Sequence, residues 1–130
     1  MKKFLFSFSV IALLCAFTNP IVPSFNSIAT AISTGNADAL AVYFDNDVEI
    51  SIIDKEDIYD KSKAKAIIND FFAKNKPKAF NQVHQGQSKG KDTQYCIGEM
   101  PTAGGKYRVY IYMKVTNEQY VIQEMRFDKQ

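Results

Sequence analysis

Histidine and cysteine, two side chains that often bind zinc, are scarce in this chain of 130 residues. It contains one histidine and two cysteines. A zinc site usually takes three or four ligands from histidine, cysteine or acidic side chains. The sequence therefore predicts no metal site, and it likewise predicts no cofactor.

A strong excess of basic charge is also missing. Sixteen lysine and arginine residues stand against 14 acidic residues. Lys2 and Lys3 lie in an N-terminal segment that we expect to be removed, which leaves 14 charges of each sign. Proteins that bind nucleic acid usually carry a basic field, so we expect no nucleic-acid partner. The lysines between Lys61 and Lys78 are interpreted as a solvated helix face.

The N-terminal segment has the pattern of a secretory signal peptide. A short basic start is followed by an uncharged apolar run over residues 4–17 and then by Thr18, Asn19 and Pro20. The run is too short to favour a membrane-spanning helix, and Leu14 before Cys15 disfavours a lipoprotein. We expect a signal over residues 1–19, a single domain over residues 20–130, a periplasmic or secreted location, and no membrane contact after cleavage.

Cysteine usage agrees with a small exported domain without a disulfide. If Cys15 leaves with the signal, Cys96 has no second cysteine in the chain with which to pair. Cys96 lies in a strand-like run, and we interpret it as a buried, inert thiol.

The helical part of the domain is indicated by apolar spacing and by stop signals. Residues 61–78 show one apolar stripe at helical spacing, with Ser62 as the expected N-cap and Pro77 as the stop. An earlier helix is predicted over residues 20–34 and ends at Gly35. Asn36 then caps a shorter helix, whose apolar face we assign to the following residues: Leu40, Tyr43 and Phe44.

The remaining segments alternate like strands. Asp45–Asp47 is predicted as a turn before a strand over residues 48–53, and residues 54–60 as a charged loop with a short strand at Ile58 and Tyr59. Four further strands are expected at residues 79–87, 94–100, 106–115 and 120–127, joined as antiparallel hairpins. The predicted fold is therefore an α+β domain in which the N-terminal helices and a lid helix pack against an antiparallel sheet.

This order of elements resembles the nuclear transport factor 2-like superfamily, also called SnoaL-like or cystatin-like. Within it, the chain resembles a family of small exported bacterial proteins of unknown function. The residues that carry the resemblance are Gly35-Asn36-Ala37, Tyr43-Phe44, Glu56-Asp57-Ile58-Tyr59, Asp70-Phe71-Phe72, His84-Gln85-Gly86, Ser88-Lys89-Gly90, Tyr95, Ile97-Gly98 and Arg108-Val109-Tyr110. The resemblance implies a strongly bent, cone-shaped sheet with a conical pocket, and it implies no known activity.

The pocket implied by the resemblance would be lined by aromatic and aliphatic side chains. Strand alternation separates Tyr107, Val109 and Ile111 from the neighbouring positions and assigns them to the cone interior. The candidate pocket residues are Tyr43, Phe72, Tyr95, Tyr107, Val109 and Ile111.

Two residues are candidates for catalysis. His84 could act as a general base near neutral pH, although it could equally be a structural hydrogen-bonding group beside Gly86. Glu99 lies on the strand face of Tyr95 and Ile97, where a paired surface charge is the alternative reading. Some enzymes of the superfamily use a carboxylate in an apolar pocket as base, so a small isomerase or cyclase is the alternative function.

The opposite strand face suggests an interface. Arg108, Tyr110 and Tyr112 share it, and arginine and tyrosine are enriched at interface cores. Superfamily members often dimerise through the open sheet face, so a homodimer is our hypothesis for this surface. The alternative is an ordinary exposed antiparallel face with long side chains. Taken together, the sequence favours a non-catalytic exported module that binds a small ligand or a protein partner over an enzyme.

Overall fold

The computed structural model describes residues 25–130 except 91 and 118. The predicted signal peptide, Cys15 and the start of the first predicted helix lie outside the described residues. In chain order, the elements are α1 (Phe25–Ser33), α2 (Ala37–Ala41), β1 (Phe44–Ile52), β2 (Lys55–Asp60), α3 (Lys61–Lys74), β3 (Asn81–Gln87), β4 (Thr93–Thr102), β5 (Gly105–Thr116) and β6 (Gln119–Lys129).

Gly35 and Asn36 separate the first two helices. Gly35 adopts a φ of +65°, a conformation that glycine reaches without strain. The Asn36 N–H donates to the Ala31 carbonyl at 2.9 Å, which closes α1 in a Schellman arrangement. The Asn36 side chain then accepts a hydrogen bond from the Ala39 N–H at 3.0 Å and caps α2. The predicted stop and the predicted cap are both confirmed.

Helix α3 begins two residues earlier than its predicted cap would allow. Asp60, not Ser62, is the N-cap, and its carboxylate accepts a hydrogen bond from the Lys63 N–H at 2.8 Å. The prediction of Ser62 was wrong because Asp60 ends β2 in an extended conformation, which an N-cap residue requires. The predicted stripe is buried at four of its five positions, Ala64, Ile68, Phe71 and Phe72, and half-buried at Ile67.

The six strands form one sheet in the order β2-β1-β6-β5-β4-β3. The predicted meander of β3 to β6 is confirmed, with antiparallel pairing throughout. Strand β1 lies parallel to β6, which makes the sheet mixed. The sheet is curved and the domain is α+β, as predicted from the sequence.

Two local predictions near β1 were wrong. Asp45–Asp47 is not a turn, because β1 starts at Phe44 and passes through these residues. Their pairing with β6 shifts register between Phe44 and Glu49, so an irregularity accommodates the polar residues inside the strand. The predicted loop before α3 is the full strand β2, which pairs with β1 from Lys55 to Asp60.

The three helices cover one face of the sheet, which we call the inner face. Side chains from the helices and the inner face form a continuous apolar core, with Ile28, Leu40, Ile68, Val109, Met125 and Phe127 among its fully buried members. Alternate strand residues point to the opposite side, which we call the outer face. Among the described residues, no helix is long and apolar enough to cross a membrane.

Candidate functional site

The predicted cone interior is filled by side chains. Val109 and Ile111 are fully buried, and Tyr107 and Phe72 are almost fully buried. Phe71 packs its ring edge-on against Tyr107, with ring centroids 5.2 Å apart. These predicted pocket residues are therefore members of the packed core.

Tyr43 lies at the margin of this core. Its side chain is half-buried and packs against the core from the turn after α2. Its carbonyl accepts a hydrogen bond from the Ile122 N–H at 2.6 Å, which fixes the turn against β6. Tyr43 thus joins the second helix to the sheet.

Tyr95 was wrongly assigned to the interior. In β4 the buried residues alternate from Gln94 through Cys96 to Met100, so the odd-numbered residues face outward. Tyr95 pairs with Tyr112 of β5 and shares the outer face with it. The sequence of β4 does not reveal this arrangement, because Tyr95 and Ile97 are more apolar than the buried Gln94.

His84 also lies on the outer face, at the exposed edge strand β3. Its Nε2 is 2.9 Å from the hydroxyl oxygen of Tyr95, within hydrogen-bond distance. The Tyr95 ring crosses over Gly86, and a Cβ at Gly86 would collide with that ring. Glycine at residue 86 therefore allows Tyr95 to reach His84.

The aromatic side chains continue across the sheet from β4 to β5. The rings of Tyr95 and Tyr110 stack with centroids 6.2 Å apart and an interplanar angle of 27°. Tyr112 is half-buried opposite Tyr95. We call His84, Tyr95, Tyr110 and Tyr112 the outer aromatic row.

A shallow hollow of about 450 Å³ adjoins this row on β4, β5 and β6. Arg126 lines this hollow, and its Nε donates a hydrogen bond to a Glu124 carboxylate oxygen at 2.7 Å. Its guanidinium also lies 3.7 Å from Glu56 of β2. The lining residues are Ile97, Arg108, Tyr110, Glu124, Arg126 and Asp128.

Tyr110 and Glu49, both on the outer face, have pKa values that are shifted by their surroundings. Burial raises the pKa of the Tyr110 hydroxyl, and the negative charge of Glu124 raises it further. The pKa of Glu49 is raised chiefly by its hydrogen bond with the Glu56 side chain, and also by burial and by Glu124. Tyr110 therefore remains a protonated hydrogen-bond donor at neutral pH.

Glu99 and Arg108, both singled out in the sequence, lie opposite each other on β4 and β5. Glu99 forms an ion pair with Lys106, with 3.4 Å between carboxylate oxygen and Nζ. Glu99 therefore lies on the outer face as a partly exposed carboxylate that pairs with a neighbouring lysine. It does not lie in an apolar pocket, where a catalytic base would be expected.

Cys96 lies on the inner face of β4 and is 1% exposed. Burial raises the pKa of its thiol to about 11. A thiol with this pKa remains protonated at neutral pH and is a poor nucleophile. Its placement agrees with the interpretation of Cys96 as an inert core residue.

Arg126 is the outer-face residue that sequence reasoning missed. It lies between the buried residues Met125 and Phe127 of β6. An alternating apolar pattern around a single arginine places the arginine on the exposed side. The signal was therefore present, but only the structure shows that β1 and β2 bring Glu56 next to it.

Comparison with known proteins gives a family match over most of the chain. Residues 25–128 match the family model described as "Domain of unknown function (DUF4783)". No curated protein matches this chain.

Solved structures agree with that match. A DUF4783 family protein from Bacteroides ovatus ATCC 8483 is 33% identical, with 80% of this chain and 93% of that chain covered and a TM-score of 0.76. One from Bacteroides uniformis ATCC 8492 is 30% identical, with 81% and 95% covered and a TM-score of 0.76. An NTF-2 like protein of unknown function from Burkholderia xenovorans LB400 shares the fold at 15% identity, with 82% and 80% covered and a TM-score of 0.61.

Proposed function

Since this chain belongs to the DUF4783 family of domains of unknown function and has the nuclear transport factor 2-like fold, we propose that it is a non-catalytic binding module. Its binding surface is the outer face of the sheet. The single observation that supports this most strongly is the outer aromatic row beside Arg108 and Arg126. Tyrosine and arginine are the side chains that most often dominate binding at protein interfaces.

The placement of the candidate catalytic groups favours binding over catalysis. An isomerase-type base works inside an apolar pocket, where burial tunes its pKa. Here His84 and Glu99 lie on the outer face. Of the residues expected to form the pocket, Phe72, Val109 and Ile111 are packed core. The isomerase or cyclase alternative therefore gains no support from this geometry.

The partner that the outer face fits is a second copy of this chain. A two-fold interface requires one surface to complement itself, and a patch that carries both basic and acidic groups can do so. The outer face has both around the aromatic row, with Arg108 next to Asp128 and Arg126 next to Glu124. The resemblance to superfamily members that dimerise through the open sheet face supports the same proposal, a second copy of this chain as the partner.

Light scattering coupled to size exclusion tests this proposal. We expect the protein to have the mass of a dimer at tens of micromolar and Tyr110→Glu to be monomeric, because a buried charge would oppose association. Lys76→Glu, in the exposed connection after α3, is the matched control and should remain dimeric. A wild-type protein that is monomeric at every concentration would refute the partner assignment.

We also propose that the chain is exported, on the basis of the signal-peptide pattern at its N-terminus. The test is the intact mass of protein recovered from cells that express the full chain. We expect a mass that corresponds to cleavage after Thr18 or Asn19. A retained full-length mass would contradict export with cleavage.

A further inference from the structure

A second surface, on the helical side of the molecule, has the composition of a ligand site. It is a groove of about 550 Å³ between α3 and the end of the β1–β2 hairpin, which we call the side groove. This volume falls within the usual range of small-molecule sites. The lining residues are Ile52, Ile53, Lys55, Lys63, Ala66, Ile67, Asp70, Phe71, Lys74, Asn75 and Tyr107.

The base of the side groove is apolar with one polar pair. Phe71 and Tyr107 form its deep part and are almost fully buried. The Tyr107 hydroxyl donates a hydrogen bond to the Asn75 side-chain oxygen at 3.1 Å. An apolar base with a few fixed polar groups is typical of sites that bind small molecules.

Ile53 forms the edge of the side groove in an unfavourable conformation. It connects β1 to β2 with a φ of +55°, a conformation that β-branched side chains rarely adopt. Its N–H donates to the Phe127 carbonyl at 2.9 Å, which holds the turn in place. The side chain is nevertheless 49% exposed. A two-residue turn between Ile52 and Lys55 calls for a positive φ at its first residue, which glycine or asparagine usually occupies. An exposed isoleucine at this residue is therefore not explained by packing of the core.

The rim of the side groove is predominantly basic. Lys55, Lys63 and Lys74 line it, with Asp70 as the one acidic lining residue. Asp70 pairs with Lys74 at 3.0 Å, whereas Lys63 lies over the Tyr59 ring, with Nζ 5.7 Å from the ring centroid. The groove thus combines an apolar base with a positive rim.

We propose that the side groove binds a small amphipathic anion, with an aliphatic body on Ile53, Ile67 and Phe71 and a carboxylate or phosphate head at Lys55 and Lys63. The lysines on the rim favour an anionic head group, and the apolar residues at the base favour an aliphatic body. This inference does not depend on the proposed outer-face interface, which lies on the other side of the sheet.

The test is a titration of the ¹⁵N-labelled protein, followed by NMR, with butanoate, hexanoate, octanoate and octan-1-ol. Octanoate should shift amide signals of α3 and of the β1–β2 turn, and it should bind roughly tenfold more tightly than hexanoate, because each buried methylene adds affinity. Octan-1-ol should bind more weakly than octanoate. Equal binding of the alcohol, or shifts confined to other elements, would overturn the proposal.

An octyl phosphate titration distinguishes the two heads. Tighter binding than octanoate identifies phosphate as the preferred head, and weaker binding identifies carboxylate. Binding of neither anion would overturn the proposal.

Two variants with a matched control locate the site. Lys63→Gln should weaken octanoate binding by roughly twofold to fivefold, whereas Lys76→Gln, outside the groove, should not change it. Ile53→Asn should weaken binding without lowering Tm, because asparagine tolerates a positive φ and relief of strain offsets the lost contact. If Ile53→Asn lowered Tm and left binding unchanged, Ile53 would serve the fold alone and the proposal would fail.

Discussion

The hydroxyl oxygen of Tyr95 lies 2.9 Å from Nε2 of His84 on the outer face of the sheet. This contact joins the chain's one histidine to a row of tyrosines that runs across β4 and β5. The histidine is therefore part of an exposed aromatic surface rather than of the apolar interior. That placement is the main reason for preferring a binding function to a catalytic one.

The N-cap of α3 can be tested by comparing two neighbouring residues. Asp60→Ala should lower the free energy of unfolding by about 1 kcal/mol, because the Lys63 N–H loses its hydrogen-bond acceptor. Ser62→Ala should change it little, since Ser62 lies inside the exposed first turn of the helix. Urea denaturation of the wild type and of the two variants measures the change in the free energy of unfolding for each substitution. A larger loss for Ser62→Ala would show that the cap is assigned to the wrong residue.

Gly98 should not tolerate a side chain. Its neighbour across the inner face is the Phe80 ring, which a Cβ at residue 98 would overlap, and the Asn81 carbonyl oxygen would lie 3.0 Å away. Gly98→Ala should therefore lower stability by roughly 1–3 kcal/mol, because the ring and the β3 backbone must shift. Thermal denaturation is the measurement. Gly104→Ala, where the site is nearly open, is the control and should have a much smaller effect.

The Cys96 thiol should be inert in the folded protein. With a pKa of about 11, only about one thiol in a thousand is ionised at pH 8, and burial blocks access as well. A thiol reagent such as DTNB should react with Cys96 only after unfolding in guanidinium chloride. Reaction of the native protein within minutes would contradict the buried placement.

Glu49 should make stability depend on pH. Its folded pKa is raised above the ordinary value of 4.5, first by the hydrogen bond with Glu56. Because the pKa of Glu49 is higher in the folded state, the protonated side chain favours folding. This stabilisation is fully present below the pKa of the unfolded state and is lost as the pH rises through the pKa of the folded state. Glu49→Gln should thus be more stable than the wild type at pH 7, and the difference should shrink toward pH 4.

Denaturant unfolding at pH 4 and at pH 7 measures this difference for Glu49→Gln. Glu99→Gln is the matched control, because Glu99 is paired with Lys106 rather than with a second carboxyl group. It should not raise stability at pH 7. If Glu49→Gln and Glu99→Gln changed the free energy of unfolding equally at both pH values, the contact between Glu49 and Glu56 would have no role in stability.

Local patterns in the sequence predicted most of the fold. Gly35, Asn36 and the apolar stripe of α3 act within a few residues, so their roles can be read directly. The parallel contact of β1 with β6 could not be read, because residues about 75 positions apart in the chain form it. The turn predicted at Asp45–Asp47 failed for the same reason, since pairing with distant strands overrode the local preference of aspartate and asparagine for turns.

The candidate site was predictable only in part. The outward position of the candidate interface residues Arg108, Tyr110 and Tyr112 follows from alternation along β5 alone, which places them away from the buried residues. The contacts of Tyr95 with His84 and of Arg126 with Glu56 depend on strand order and register, which the sequence does not specify. The packed interior depends on side-chain volumes across several elements, so periodicity could not distinguish it from a pocket.

The most direct test of the outer-face interface is a dilution series of the ¹⁵N-labelled protein, followed by NMR from millimolar to micromolar concentration. We predict concentration-dependent shifts at the amides of Tyr95, Ile97, Arg108, Tyr110 and Tyr112, with little change in α1 and α3. Spectra that do not change with concentration, at the line widths of a monomer, or changes confined to the helices, would contradict the assignment of the outer face as the binding surface.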